Sequence, residues 1–223
     1  MNGPLRLAAL ISGRGSNLAP VLDAIAKGAL DIEVVGVISN RADAPGLALA
    51  ASHGVPTEVI DAGNAAPDGQ DAAIGRHLEA LAPDLVLLTG YMRILGPELV
   101  NAWRGRMINQ HPSLLPRHKG LHTHRQALAA GDREHGASLH FVTPELDGGP
   151  VLAQVRIAVE PDDDEASLAA RLAPAERQLL LAVLPLFAQR RLSLGADAIL
   201  MDGQPLAGPL TPDELISDEA LYD

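Results

Sequence analysis

Leu5-Arg6-Leu7-Ala8-Ala9-Leu10-Ile11-Ser12 runs into Gly13-Arg14-Gly15-Ser16-Asn17. The first stretch lacks the polar alternation of a half-exposed strand, so it reads as a strand buried on both faces. The glycines then turn the chain into a helical pattern from Leu18 to Lys27, ended by Gly28. A second apolar run, Ile32 to Ser39, completes a β-α-β unit, and such units build parallel sheets. The alternation continues with a helix over Pro45 to His53, stopped by Gly54, and a short strand over Thr57 to Ile60. Asp61 to Gln70 is rich in Gly, Asn, Pro and Asp and reads as a surface loop. A helix over Ala72 to Leu81, a buried strand over Asp84 to Thr89 and a helix over Pro97 to Trp103 follow. Met107 to His111 then forms a strand that Pro112 closes, because proline donates nothing to a ladder.

Beyond that strand the pattern changes. Thr123 and Gln126 have the spacing of a capping box, opening a helix that runs to Ala130 with Gly131 as its cap. Ala137 to Thr143 and Val151 to Val159 read as two strands joined by a turn-rich loop, which pairs them antiparallel. A long helix is expected from Asp164 to about Gln189, broken or kinked at Pro174. The expected fold class is α/β, a Rossmann-like and mostly parallel sheet with an antiparallel C-terminal addition. One domain is expected over residues 1–190, with the Gly-, Pro- and acid-rich tail 191–223 packed on it or fraying from it.

With 223 residues and 47 % hydrophobic side chains there is ample material for a core, and with only 2 % aromatics that core is aliphatic. A net charge of −11 argues against a nucleic-acid surface, which needs a basic footprint. The absence of cysteine removes disulfides, thiolate nucleophiles and thiolate metal sites from consideration. Leu7 to Ile11 is too short an apolar run for a signal sequence or a membrane span, so a cytoplasmic protein without membrane contact is expected.

Several constellations carry chemistry. The Gly13–Asn17 turn leads from strand to helix, where free N–H groups and the helix dipole favour an anion. Leu18 stands where a dinucleotide fingerprint wants its third glycine, and no Gly-Lys-Ser/Thr follows for a nucleoside-triphosphate loop. A phosphate monoester on Gly15, Ser16 and Asn17 and a plain capped turn both remain open. Asn109 and His111 alternate onto one face of a short strand, at the carboxyl end where α/β proteins bind ligands. Asp147, in a glycine-bearing loop after a later strand, can approach that imidazole, favour its cation and raise its pKa. An amide donor and a cationic imidazole together stabilise an oxyanion, the imidazole also moving a proton. Ser113 lacks the G-x-S-x-G elbow of a serine nucleophile.

Two further stretches are ambiguous. Gly90-Tyr91-Met92-Arg93-Ile94-Leu95-Gly96 follows a buried strand and offers either a slot for a flat ligand with an acidic tail or an ordinary loop. Six of the eight histidines (His111, His118, His122, His124, His135 and His140) fall in one region. No acid stands at a helical ligand spacing such as H-E-x-x-H, so no metal is expected, and most of these histidines are expected at the surface or on backbone partners.

Five motifs in register, Ile11 to Leu18, Gly90 to Leu95, Asn109 to Pro116, Gly120 to His124 and Glu145 to Pro150, closely resemble the phosphoribosylglycinamide formyltransferase family. The resemblance runs from about residue 5 to residue 190. It implies formyl transfer from 10-formyltetrahydrofolate, the co-substrate, to the amine of glycinamide ribonucleotide in purine biosynthesis, without a metal. It also implies that Asn109, His111 and Asp147 are catalytic and that Gly15, Ser16 and Asn17 hold the ribonucleotide phosphate. Glu176 then contacts the ribose, and Met92, Arg93, Ile94 and Leu95, with Asn109, hold the folate. The implied partners are small-molecule substrates, with a monomer or homodimer.

The chain departs from the family in three places. Asp61 to Gln70 carries no basic residue, Arg177 stands where histidine is common, and His118-Lys119 replaces a more usual aromatic–proline pair. Formyltetrahydrofolate hydrolase shares the resemblance but carries a preceding regulatory domain, for which the first strand at Leu5 leaves no room. Methionyl-tRNA formyltransferase adds a C-terminal domain and meets an anionic partner. A non-catalytic folate- or nucleotide-binding regulator need not keep Asn109, His111 and Asp147 together.

Overall fold

A computed structural model describes residues 3–61, 67–196 and 198–216. The chain divides into two compact units, Met1–Asn109 and Gln110–Asp223. The first holds β1 (Leu5–Ile11), α1 (Ala19–Ala26), β2 (Ile32–Ser39), α2 (Pro45–Ser52), β3 (Thr57–Val59), α3 (Pro67–Leu81), β4 (Leu85–Thr89), α4 (Pro97–Ala102) and the start of β5 (Met107–His111). Its strand order is β3-β2-β1-β4-β5, with β1 parallel to β2 and β4, and β2 parallel to β3. Every residue of β1 except Arg6 is buried, as an unalternated apolar run requires. The α/β alternation read from the sequence is therefore present.

The second unit contains α5 (Thr123–Ala130), β6 (Glu134–Phe141), β7 (Val151–Ala158), α6 (Glu165–Ala188), β8 (Leu192–Leu194), β9 (Ile199–Met201), β10 (Gln204–Pro205) and α7 (Pro212–Ile216). The strand order continues β5-β6-β7, and β6 and β7 are antiparallel, as the connecting loop predicts. Helix α6 buries Leu168, Leu172, Leu179, Leu180, Val183, Leu184 and Phe187, and Phe141 of β6 meets Phe187 edge to face at 6.1 Å. No helix among the described residues is long and apolar enough to cross a membrane.

Three local expectations are corrected. Helix α3 begins at Pro67, within the stretch read as a loop, because proline suits a first helical turn. Residues 62–66 of that stretch lie outside the described residues. The capping box at α5 is absent: His122 is the N-cap, and Gln126 Nε2 donates to the Leu121 and Lys119 carbonyls instead. Helix α6 runs unbroken through Pro174 and Pro185, started by a true box between Asp164 and Ser167. Packing of its long apolar face overrides the local cost of proline. The tail carries structure of its own, with β8, β9 and β10 forming an antiparallel sheet. Leu210 is buried on β7, with its N–H donating to the Leu152 carbonyl and its carbonyl accepting from Gln154 N–H, both at 2.9 Å.

The turn after β5 is locked by a buried polar network. Ser138 of β6 donates to the Ser113 carbonyl at 2.7 Å and accepts from Leu115 N–H at 3.1 Å, while Gln154 donates to the Leu115 carbonyl at 2.9 Å. Burial makes each of these bonds costly to lose. The same strand needs Gly136, because a Cβ there would lie 2.0 Å from the Val155 carbonyl oxygen and 2.5 Å from Leu114. Gly136→Ala is expected to cost about 3 kcal/mol through this overpacking, read as a lowered midpoint in chemical denaturation. His135 beside it is 1 % exposed and meets His124 at 2.9 Å. Burial, then the nearby His124, pushes its pKa from 6.5 down to about 4. The unfolded chain therefore binds that proton more readily, so stability is full above about pH 6.5 and declines toward pH 4. Thermal melts across that window are expected to show the decline, and His135→Gln to flatten part of it.

Candidate active site

In the second unit, β5 ends by delivering His111 into the interior, where its side chain is 7 % exposed. The Asp147 carboxylate, 8 % exposed, lies 3.5 Å from His111 Nδ1 through Oδ2. Sequence reasoning paired these two residues, and the structure brings them together. Asp147 sits at φ +46, a left-handed conformation that is uncommon outside glycine and recurs at functional sites. Its Oδ2 accepts Gly120 N–H at 2.8 Å, and its Oδ1 lies 3.7 Å from His140 Nε2. The loop can return this tightly only with Gly149, where a Cβ would fall 1.8 Å from the Phe141 carbonyl oxygen.

His140, 2 % exposed on β6, was not singled out from the sequence. Its signal was available, since a polar side chain inside a buried strand is the informative exception. Its Nδ1 lies 3.0 Å from the Phe141 carbonyl, its own neighbour along the strand. Of the histidines expected at the surface or on backbone partners, His122 is exposed and His111 and His140, though buried, meet backbone carbonyls, whereas buried His135 meets His124 instead.

Electrostatics at the pair depart from expectation. Burial lowers the His111 pKa; the bond to the His118 carbonyl and the Asp147 charge raise it, the His140 charge lowers it, and the balance lies below 6.5. Asp147 does act in the predicted direction, yet desolvation of the cation outweighs it. Burial raises the Asp147 pKa, but bonds from His140 and Gly120 and the charges of His111 and His140 outweigh it, leaving it below 3.8. The resting pair near neutral pH is thus a carboxylate beside a neutral imidazole. His111 Nε2 lies 2.9 Å from the His118 carbonyl, which only accepts, so Nε2 carries the proton and Nδ1 faces Asp147.

Asn109 stands on β5 two residues before His111 and is half-buried. Gln110 between them is buried, and its Nε2 donates to the Glu176 main-chain carbonyl at 2.8 Å, tying β5 to α6 where Glu176 is half-buried. Ser113 Oγ donates to the Arg117 carbonyl at 2.7 Å and is fully buried, a structural role.

In the first unit, Gly15 takes φ +71, and its carbonyl accepts Leu18 and Ala19 N–H at 3.0 and 2.9 Å, starting α1. Gly46 of α2 packs against this loop, its N–H donating to the Gly13 carbonyl at 3.0 Å. A Cβ on Gly46 would sit 2.9 Å from that same oxygen. Ser16 is exposed and Asn17 half-buried. Ser12 Oγ donates to Asn40 Oδ1 at 2.5 Å and accepts Met92 N–H at 2.8 Å, joining the loop to Gly90–Leu95. There Met92 and Ile94 are 62 % and 71 % exposed while Leu95 is buried, which leaves apolar side chains open to a flat ligand. Among the described residues no group of three or more His, Asp or Glu side chains is placed to hold a metal ion.

A family model described as Formyl transferase matches residues 5–184. The phosphoribosylglycinamide formyltransferase of Escherichia coli is 43 % identical over 203 residues, covering 91 % of this chain and 96 % of that one. The enzyme of the same name from Haemophilus influenzae is 40 % identical over 202 residues, covering 90 % and 95 %. The solved phosphoribosylglycinamide formyltransferase of Coxiella burnetii, in complex with CHES, superposes with a TM-score of 0.89 at 41 % identity, covering 93 % of this chain and 99 % of that one. With the fold, the buried pair and these likenesses in agreement, the chain belongs to the formyl transferase family, among the phosphoribosylglycinamide formyltransferases.

Proposed function

We propose that this chain transfers the formyl group of 10-formyltetrahydrofolate to the amine of N1-(5-phosphoribosyl)glycinamide, giving the N-formyl product and tetrahydrofolate in purine (IMP) biosynthesis. The observation that carries this reading is the buried His111–Asp147 pair, 3.5 Å apart at the end of the strand bearing Asn109. The 43 % identical relative of that name supports it. In this reading Gly15, Ser16 and Asn17 take the phosphate, Glu176 takes a ribose hydroxyl, and Met92, Arg93, Ile94, Leu95 and Asn109 take the folate. Residues 1–190 act as the formyltransferase domain, in a cytoplasmic monomer or homodimer that binds small molecules and no nucleic acid. The proposed reaction uses no metal.

The chemistry follows from the charge states. The substrate amine attacks the formyl carbon, and its nitrogen–carbon bond forms as the carbonyl π electrons move onto oxygen. Asn109 donates a hydrogen bond to that oxyanion. The attacking nitrogen loses a proton, which passes through water to Nδ1 of neutral His111, beside the Asp147 carboxylate. The imidazolium so formed stabilises the oxyanion, and its stability grows as that charge develops. Collapse of the intermediate breaks the bond from carbon to folate N10, which takes a proton back from the pair. Asp147 remains ionised throughout and keeps the cation affordable in a buried place.

Purified protein supplied with both substrates is expected to produce tetrahydrofolate and formylated ribonucleotide together, followed by folate absorbance and by mass. Equal loss of the formyl group to water when the ribonucleotide is left out would replace transfer by hydrolysis as its activity. Asp147→Asn removes a charge that raises the His111 pKa, so that pKa falls further and the acidic limb of the kcat profile, where His111 must be neutral to act as base, moves to lower pH. The accompanying loss in kcat is expected to be about 10²- to 10⁴-fold, the scale of a lost acid–base partner. An unchanged limb would disconnect Asp147 from His111.

A further inference from the structure

We infer that His118, held by Asp132, is a positioning residue for His111. This inference rests on the catalytic reading of His111 given above. Three observations meet at His118. Its main-chain carbonyl is the acceptor for His111 Nε2 at 2.9 Å. Its backbone sits at φ +53, a conformation that a residue with a Cβ keeps only when its surroundings hold it there. Its own side chain supplies that hold, with Nε2 donating to Asp132 Oδ2 at 2.7 Å.

The holding group is itself anchored. Asp132 directly follows Gly131, the left-handed cap of α5, and its N–H donates to the Ala127 carbonyl at 3.1 Å. The contact is shielded, with side-chain exposures of 14 % and 15 %, so water competes little for this hydrogen bond. A line of contacts therefore runs from the end of α5 through Asp132 and His118 to the edge of His111 that fixes its tautomer. The next two residues tie the segment to the Asp147 loop, through Lys119 Nζ to Glu145 Oε1 at 2.7 Å and Gly120 N–H to Asp147 at 2.8 Å.

The residue type matters here. A hydrocarbon side chain at this position has no N–H or O–H to give Asp132 and would leave the segment untied. The pair thus holds the carbonyl that His111 meets. Loss of the carbonyl would leave His111 governed by the remaining groups that bear on it, Asp147 and His140.

The test reads the tautomer directly. In protein labelled with ¹⁵N-histidine, with His111 assigned by the signals lost in His111→Asn, wild type is expected to show the Nε2–H form above its titration. His118→Ala and Asp132→Asn are expected to mix the two tautomers and to lower kcat by about ten- to a hundredfold with little change in KM, the scale known for partners that orient metal-bound histidines. His118→Gln, which can still donate to Asp132, restores part of both. Lys119→Ala, which cuts an exposed tie, leaves the tautomer as it was. A wild-type His111 pattern in either His118→Ala or Asp132→Asn overturns the inference, whether or not activity falls. Full transfer activity in His111→Asn would instead overturn the functional reading, so the two failures are told apart.

Discussion

A carboxylate that is 8 % exposed takes up a proton unless its neighbours hold its charge, and around Asp147 they outweigh the burial. Gly120 N–H donates to it, and the imidazoles of His111 and His140 face its two oxygens. Meeting that condition shapes the chain around it. Asp147 must turn left-handed, and the return through Gly149 must pass too close to the Phe141 carbonyl for any Cβ. β6 must carry a buried histidine, and the segment after β5 must present Gly120 N–H inward. The Ser138–Gln154 network then fixes the Ser113–Leu115 turn from which that segment departs.

The same burial decides the protonation states. Desolvation penalises an imidazolium more than one carboxylate at 3.5 Å stabilises it, so His111 rests neutral. That state fits a base awaiting a proton better than the preformed cation expected from the Asp147 spacing. The attraction of Asp147 is not wasted, because it acts once the proton arrives. His135, further along the same histidine-rich stretch, shows how far burial and then the nearby His124 can lower an imidazole, with its pKa near 4 despite the charge of Asp132.

Much of this was legible from residue order. Unalternated runs such as Leu5–Ile11 and Ile32–Ser39 declare buried parallel strands, and the loop with Gly148 and Gly149 declares the antiparallel turn. The Asn109–His111 spacing places both on one strand end, the glycine-bearing loop brings Asp147 toward that imidazole, and the family resemblance implies the three together. Local rules misled where longer-range forces took over. Pro174 and Pro185 stay helical because α6 buries a long apolar face, and Gln126 abandons its box for the Lys119–Leu121 backbone. The tail held an unread signal, since Asp202-Gly203, at φ +53 and +77, is a tight hairpin turn. A polar residue inside a buried strand marks His140, but His118 is beyond a linear reading, because its meaning lies in Asp132, a contact no periodicity encodes.

The account stands on Asp147 being ionised inside the protein. Its carboxyl carbon, labelled with ¹³C-aspartate and assigned by its loss in Asp147→Asn, reports that directly in a pH titration by NMR. The carboxylate chemical shift is predicted to persist as pH falls, with titration only below the ordinary 3.8. A carboxyl signal that titrates between about pH 5 and 7, as an unsupported buried acid does, would contradict the account.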